Sequence, residues 1–170
     1  ADYVRTRIFE PLKMREAAWH QPMDRLPRLA ATYVKQDGKF ARQADEMTRR
    51  PNFPGAKLTM GGAGIVAPID DYMRFARMLL NGGELDGARI LKPETVRLAM
   101  SDLLPPTVDR SSLESLTRDS GVPMGFGAAG SVYLADKPNG PGKGTYGWGG
   151  AAGTIAWVDP VHRVRAVGMI

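Results

Sequence analysis

The stretch PIDDYMRFARMLLNGG, residues 68–83, carries the strongest periodic signal in the chain. Ile69, Tyr72, Met73, Ala76, Leu79 and Leu80 follow the i, i+3, i+4, i+7 spacing of a helix with one buried stripe, while Arg74 and Arg77 fall off it. Pro68 suits the first helical position, and Asp70 and Asp71 sit in the first turn, where the helix dipole favours anions. Asn81-Gly82 supplies a stop. The spacing predicts a helix over about residues 69–81.

Reading outward, GGELDGARIL (82–91) is a turn-rich connector, and Pro93 opens a shorter helix that carries Val96, Ala99 and Met100 inward. On the other side, the opening DYVRTRIF reads as a helix that must stop before Pro11, which cannot sit in a helix interior. TYVKQDGKFARQ (32–43) predicts a hairpin turning on Asp37-Gly38. Residues 42–60 and 104–121 are polar and proline-bearing, and predict exposed irregular loops.

From Met124 the texture changes to glycine-punctuated strands: SVYLA, the turn KPNGPGKG, then YGWGGAAGTIAWVDP (146–160) with a hairpin through Asp159-Pro160. Helices first and strands last predict an α+β fold, an antiparallel sheet flanked by helices.

Bulk properties remove several function classes. With 170 residues, 43% hydrophobic and 24% charged, the chain has the composition of one globular domain. No apolar run is long enough for a membrane span. Without cysteine there is neither a disulfide framework nor a zinc–thiolate site. The net charge of +5 is interleaved with acids, as in ARQADEMTRR, which reads as a solvated surface and not as a nucleic-acid footprint.

Local motifs fail in turn. GKGTYG (142–147) matches G-x-G-x-x-G literally, but a proline-rich turn precedes it and a strand follows, so no helix N-terminus meets a phosphate. His20 and His162 are the only histidines and no H-E-x-x-H occurs, so no metal site is expected. None of Ser101, Ser111, Ser112, Ser115, Ser120 and Ser131 lies in G-x-S-x-G or has lysine three residues on. The chain supplies no recognisable nucleophile.

The segment 146–160 raises a question of its own. Gly149, Gly150, Ala151, Ala152 and Gly153 follow Trp148 in a row, and glycine inside a strand marks a bulge or a close approach to the backbone. Three stretches bear on what approaches: RIFEPLKM (7–14), GGAGIVAPIDDYMRFARMLLNGGELDGARILKPETVRLAM (61–100), and MGFG (124–127) followed by YGWGGAAGTIAWVDP. Together and in this order they resemble the β-lactamase-related serine hydrolases, which include class C β-lactamases, DD-peptidases and family VIII carboxylesterases. The resemblance covers nearly the whole chain.

It implies a β-lactamase/transpeptidase-like fold and three active-site elements: S-x-x-K, Y-x-N or Y-x-S, and a strand motif K-T-G or a relative. The resemblance places the first two elements upstream of this chain, and no tyrosine here has Asn or Ser two residues on. The third falls on Trp148-Gly149-Gly150, implied as substrate-binding, with the N–H of Ala151 as one oxyanion donor. Acyl transfer builds negative charge on the carbonyl oxygen, and preorganised N–H groups must meet it. Residues 148–152 are accordingly expected on a strand bordering a cleft.

β-Lactamases and peptidases usually keep Lys or His where Trp148 stands, close to a substrate carboxylate. Tryptophan replaces that cation with an apolar wall, similar to family VIII carboxylesterases. Lys143, five residues earlier, does not take the lysine's place. The resemblance implies a small-molecule ester or lactam as substrate and no cofactor. Esterase, lactamase or peptidase, and a catalytically dead binding relative stay open at this point.

Both ends predict an internal piece of a longer protein, so that residues 1–170 form part of a β-lactamase-like domain truncated at both ends. The opening helix has no capping residue before it, and VRAVGMI stops inside an apolar strand-like run.

Overall fold

The computed structural model describes residues 1–43, 61–111, 113 and 121–169. Most of the loop expected at 42–60 and part of that at 104–121 lie outside the described residues. Helix α1 (Asp2–Val4) continues into a wider turn over Arg5–Phe9, where the Glu10 N–H reaches back five residues to Arg5 O at 2.9 Å. It ends before Pro11, as expected. Strands β1 (Tyr33–Gln36) and β2 (Lys39–Arg42) form the expected hairpin. Asp37 and Gly38 both take positive φ, 48° and 78°, which a two-residue hairpin of this twist requires.

Helix α2 (Ile69–Leu80) matches the predicted span. Pro68 is extended (φ −69°, ψ 157°), so it caps the helix and does not open it, one residue before the expected position. At the other end the Gly82 N–H bonds Leu79 O and the Gly83 N–H bonds Met78 O at 2.9 Å, the paired bonds of a Schellman stop. Gly83 has φ +96°, and a Cβ there would lie 2.2 Å from Leu91 O. The connector beyond is a short hairpin, β3 (Glu84–Leu85) and β4 (Ala88–Arg89), turning on Asp86-Gly87. Helix α3 (Pro93–Ala99) follows and buries Val96, with Met100 buried just beyond it.

The remaining strands, β5 (Met124–Phe126), β6 (Ser131–Tyr133), β7 (Tyr146–Gly149), β8 (Thr154–Asp159) and β9 (Val164–Met169), form one antiparallel sheet in chain order. This is the predicted α+β arrangement. Among the described residues no helix is long and apolar enough to cross a membrane.

The buried side of α2 differs from the predicted stripe. Ile69 is 43% and Tyr72 36% exposed, whereas Asp71, Ala76, Met78 and Leu80 are buried. The reason is that α2 lies between two apolar clusters. Met78 packs with Phe9, Leu12, Met14, Ala17, Trp19 and Leu85, while Ala76 and Leu80 pack with Val96 of α3, Met100 just beyond it and Val158 of the sheet. One stripe cannot serve both. Asp71 can be buried because its carboxylate accepts the N–H groups of Glu16 (2.7 Å) and Ala17 (2.9 Å), which removes the penalty of an unpaired buried charge.

A second buried carboxylate closes the β8–β9 hairpin. Asp159 accepts the N–H groups of Gly142, Val161 and His162 at 2.9–3.0 Å and lies 2.8 Å from Nδ1 of His162. Burial alone would push its carboxyl up, but the Gly142 N–H, the His162 ring and the His162 N–H outweigh it and hold the group at about 2. A carboxyl depressed in the folded state stabilises the fold above its unfolded value, near 4, and loses that contribution as pH falls toward 2. Urea melts should therefore show about 2 kcal/mol of stability draining away between about pH 4 and 2. Asp159→Asn should lose that part of the pH dependence; an equally steep acid limb in the variant would rule Asp159 out as its source.

Candidate active site

Strand β7 presents the residues singled out from sequence. Register sets Tyr146 opposite Val158, Gly147 opposite Trp157, Trp148 opposite Ala156 and Gly149 opposite Ile155. Between β7–β8 and α2 lies an open, shallow concavity lined by Tyr72, Phe75, Leu79, Ala129, Tyr146 and Trp148 over a floor of Ala76 and Ala156. Among the described residues no charged side chain lines it. Trp148 is 44% exposed at its edge, and its ring meets that of Phe126 at 5.2 Å and 87°.

The expectation of a strand through residues 148–152 needs correction. Strand β7 ends at Gly149. The Gly150 N–H bonds Thr154 O at 2.7 Å and the Gly153 N–H bonds Gly150 O at 3.0 Å, leaving Ala151, Ala152 and Gly153 as a three-residue hairpin loop. Gly153 has φ +80°, the left-handed closing residue that such a loop needs. Gly153, immediately before a β-branched strand start, was the sequence signal for this turn. Ala151 thus sits on an exposed loop, and among the described residues its N–H meets no acceptor.

The glycines divide into two kinds. At Gly147, a Cβ would lie 2.3 Å from Ala156 O and 2.7 Å from Trp157 Cβ, so the approach that excludes a side chain comes from the neighbouring strand. Gly149 would meet Thr154 O at 3.5 Å, an ordinary contact, and the one close approach at Gly150 would be the Thr154 hydroxyl, at 2.5 Å. Sequence reasoning placed the site at 148–150 and left out Gly147, whose constraint depends on strand register.

The titratable groups at the concavity are phenols. Burial pushes both Tyr72 and Tyr146 up, and Tyr146 rises further from its charge coupling to Tyr72. The Tyr146 hydroxyl donates to Ala128 O, which ties the β5–β6 turn to β7. Ser131 donates to Gly147 O at 3.0 Å, Ser101 to Leu98 O, and Ser111 to Asp109. None of these three lines the concavity. His162 is engaged by Asp159 in the β8–β9 turn, and Lys143 lies in the turn before β7 with its N–H on Asp136. Among the described residues no group of three or more His, Asp or Glu could hold a metal ion.

These contacts separate structural from chemical roles at the glycines. Gly147→Ala should destabilise the fold by about 1–3 kcal/mol through overpacking against β8. Gly149→Ala should leave the thermal midpoint almost unchanged. Equal midpoints for the two variants would show that β8 does not impose the constraint.

The β-lactamase family model matches residues 1–170. Protein Rv1367c of Mycobacterium tuberculosis is 35% identical over 159 residues, covering 91% of this chain and 39% of that protein. Similar solved structures include simvastatin synthase (LovD) from Aspergillus terreus, with a TM-score of 0.74, 22% identity, and coverage of 98% of this chain and 42% of that one. Another is EstCE1, described as a hydrolase with promiscuous acyltransferase activity, with a TM-score of 0.78, 22% identity, and coverage of 98% and 44%. A penicillin-binding protein homolog from Caulobacter crescentus gives a TM-score of 0.63 at 22% identity, covering 99% of this chain and 46% of that one. The chain spans about two-fifths of the length of the curated relatives it matches. Since the family model runs the full length of a chain whose helices and antiparallel sheet follow the same fold, the chain belongs to the β-lactamase family.

Proposed function

We propose that the full-length protein is a serine hydrolase that cleaves carboxylic esters through an acyl-enzyme, and that residues 1–170 are part of its β-lactamase-like domain. The nucleophilic serine, with its activating lysine and tyrosine, is assigned to chain upstream of Ala1. The serine oxygen attacks the ester carbonyl, and the alcohol leaves with a proton delivered by the upstream base. Water then releases the acid. No cofactor enters this scheme.

In this reading the Ala151 N–H and the nucleophile's own N–H donate to the oxygen on which negative charge develops. The free, exposed Ala151 N–H suits that role, since a donor already bound within the fold would have to break a bond to serve. Trp148, Gly149 and Gly150 form the substrate-facing wall.

The observation that carries the ester assignment is Trp148 itself: an uncharged ring, 44% exposed, at the edge of a concavity with no charged lining among the described residues. A substrate carboxylate would find no cation there, and leaving it unpaired in an apolar site is costly. A neutral ester carries no such penalty.

Purified full-length protein should hydrolyse p-nitrophenyl butyrate in preference to nitrocefin; the reverse preference would favour a β-lactamase. Residues 1–170 alone should not react with a fluorophosphonate probe, and stoichiometric labelling of a serine would defeat the assignment of the nucleophile. In the full-length protein Ala151→Ser should keep most activity, while Ala151→Pro should cut kcat by about 10²–10³. Circular dichroism and a thermal melt must first show that the proline variant folds. A folded variant lacking this N–H with parental turnover would end the oxyanion assignment.

A further inference from the structure

Trp148 stands next to the last residue of β7, beside a free hairpin loop, so the backbone alone does little to fix its half-exposed indole. One ring contact does more. Phe126 meets Trp148 at 5.2 Å and 87°, the edge-to-face geometry that the ring quadrupoles favour.

Phe126 is held more firmly than its place implies. Strand β5 has three residues and, among the described residues, is an edge of the sheet with β6 alone as a partner strand. Edge strands leave backbone groups unpaired. Here the segment after α3 takes them up. The Phe126 N–H donates to Asp102 Oδ1 at 3.1 Å, and the Leu103 N–H donates to Phe126 O at 2.9 Å. The Leu104 N–H also reaches Asp102 Oδ1, at 3.3 Å, and Arg110 pairs with Oδ2 at 2.8 Å. A Cβ on Gly125 would lie 2.6 Å from Asp102 Cγ, so the residue before Phe126 must be glycine for the carboxylate to sit this close.

We propose that Phe126 is a positioning residue: clamped at its backbone by Asp102, which Arg110 anchors, it holds the Trp148 ring in place as the wall of the cleft. The proposal rests on the reading of Trp148 as a substrate-facing wall. It assigns a role in substrate binding to a side chain outside the strand motif, acting through Trp148 and not by touching the reacting atoms.

The test uses full-length protein labelled with fluorotryptophan, the Trp148 fluorine resonance being assigned by its loss in Trp148→Phe. Phe126→Leu should shift that resonance toward its solvent-exposed position and raise KM for p-nitrophenyl butyrate about threefold to tenfold, the worth of one edge-to-face ring pair, with kcat nearly unchanged. Phe126→Tyr should restore both. In a Trp148→Ala background, Phe126→Leu should change KM no further. Asp102→Asn should shift the same resonance by a smaller amount, and it serves as the test if Phe126→Leu does not fold. An unmoved Trp148 resonance overturns the clamp, as does a KM effect that adds in full to that of Trp148→Ala. If Trp148→Ala alone leaves KM unchanged, the wall reading fails, while the fluorine shift still judges the clamp.

Discussion

The two hydrogen bonds that Asp71 accepts from Glu16 and Ala17 determine how the helical part of this chain goes together. The carboxylate lies in the first turn of α2, where the helix dipole already favours an anion, and is almost fully buried. Its partners are 54 and 55 residues away in sequence. The bonds hold the N-terminal segment along one side of α2 and leave the opposite side for the sheet. Arg74 reinforces the same side, with Nε donating to Leu12 O and its guanidinium paired with Asp86. Leu12 and Met78 are completely buried between these polar ties. Burying one such side chain is worth about 1.5–3 kcal/mol, comparable with the bonds that direct it there.

What could be read from sequence follows from how local each cause is. The ends of α2 and α3 depend on Asn81-Gly82 and Pro93, and the first hairpin depends on Asp37-Gly38, all within a few residues of the element they shape. The Asp86-Gly87 hairpin carried the same signal and passed as a connector because its strands are only two residues long. The buried side of α2 was not legible in the same way. Asp71 reads from sequence as a first-turn anion, and its distant amide partners are what permit its burial. Ile69 and Tyr72 fitted the period yet stand toward the open end, where neither cluster covers them.

The candidate site shows the same division. Trp148 could be picked out because the resemblance placed a motif on it, but the end of β7 could not be placed by that motif. The loop Ala151-Ala152-Gly153 ends the strand one residue after Trp148, and its closing bonds flank the Ala151 N–H without using it. A donor one step beyond the ladder is free by construction, while the bonds on either side keep it from wandering. That combination is what preorganisation asks of an oxyanion donor. A donor inside the regular strand would stay free only if it lay on an unpaired edge, and β7 is interior to the sheet.

The electrostatics of the concavity set it apart from the molecule around it. The chain carries a net charge of +5, yet the cations of α2 lie away from this surface: Arg74 turns to Leu12 and Asp86, and Arg77 does not line the concavity. The ionisable groups lining it are two phenols, both pushed upward by burial and so neutral across ordinary working pH. The Tyr146 hydroxyl is already committed to Ala128 O, where it fixes the β5–β6 turn that brings Ala129 to the rim. Among the described residues this lining offers shape and apolar surface and no charge. Discrimination by shape requires walls that hold still. Trp148, at the edge of the concavity, meets Phe126 edge to face, and the Phe126 N–H is held by the Asp102 carboxylate in the segment after α3.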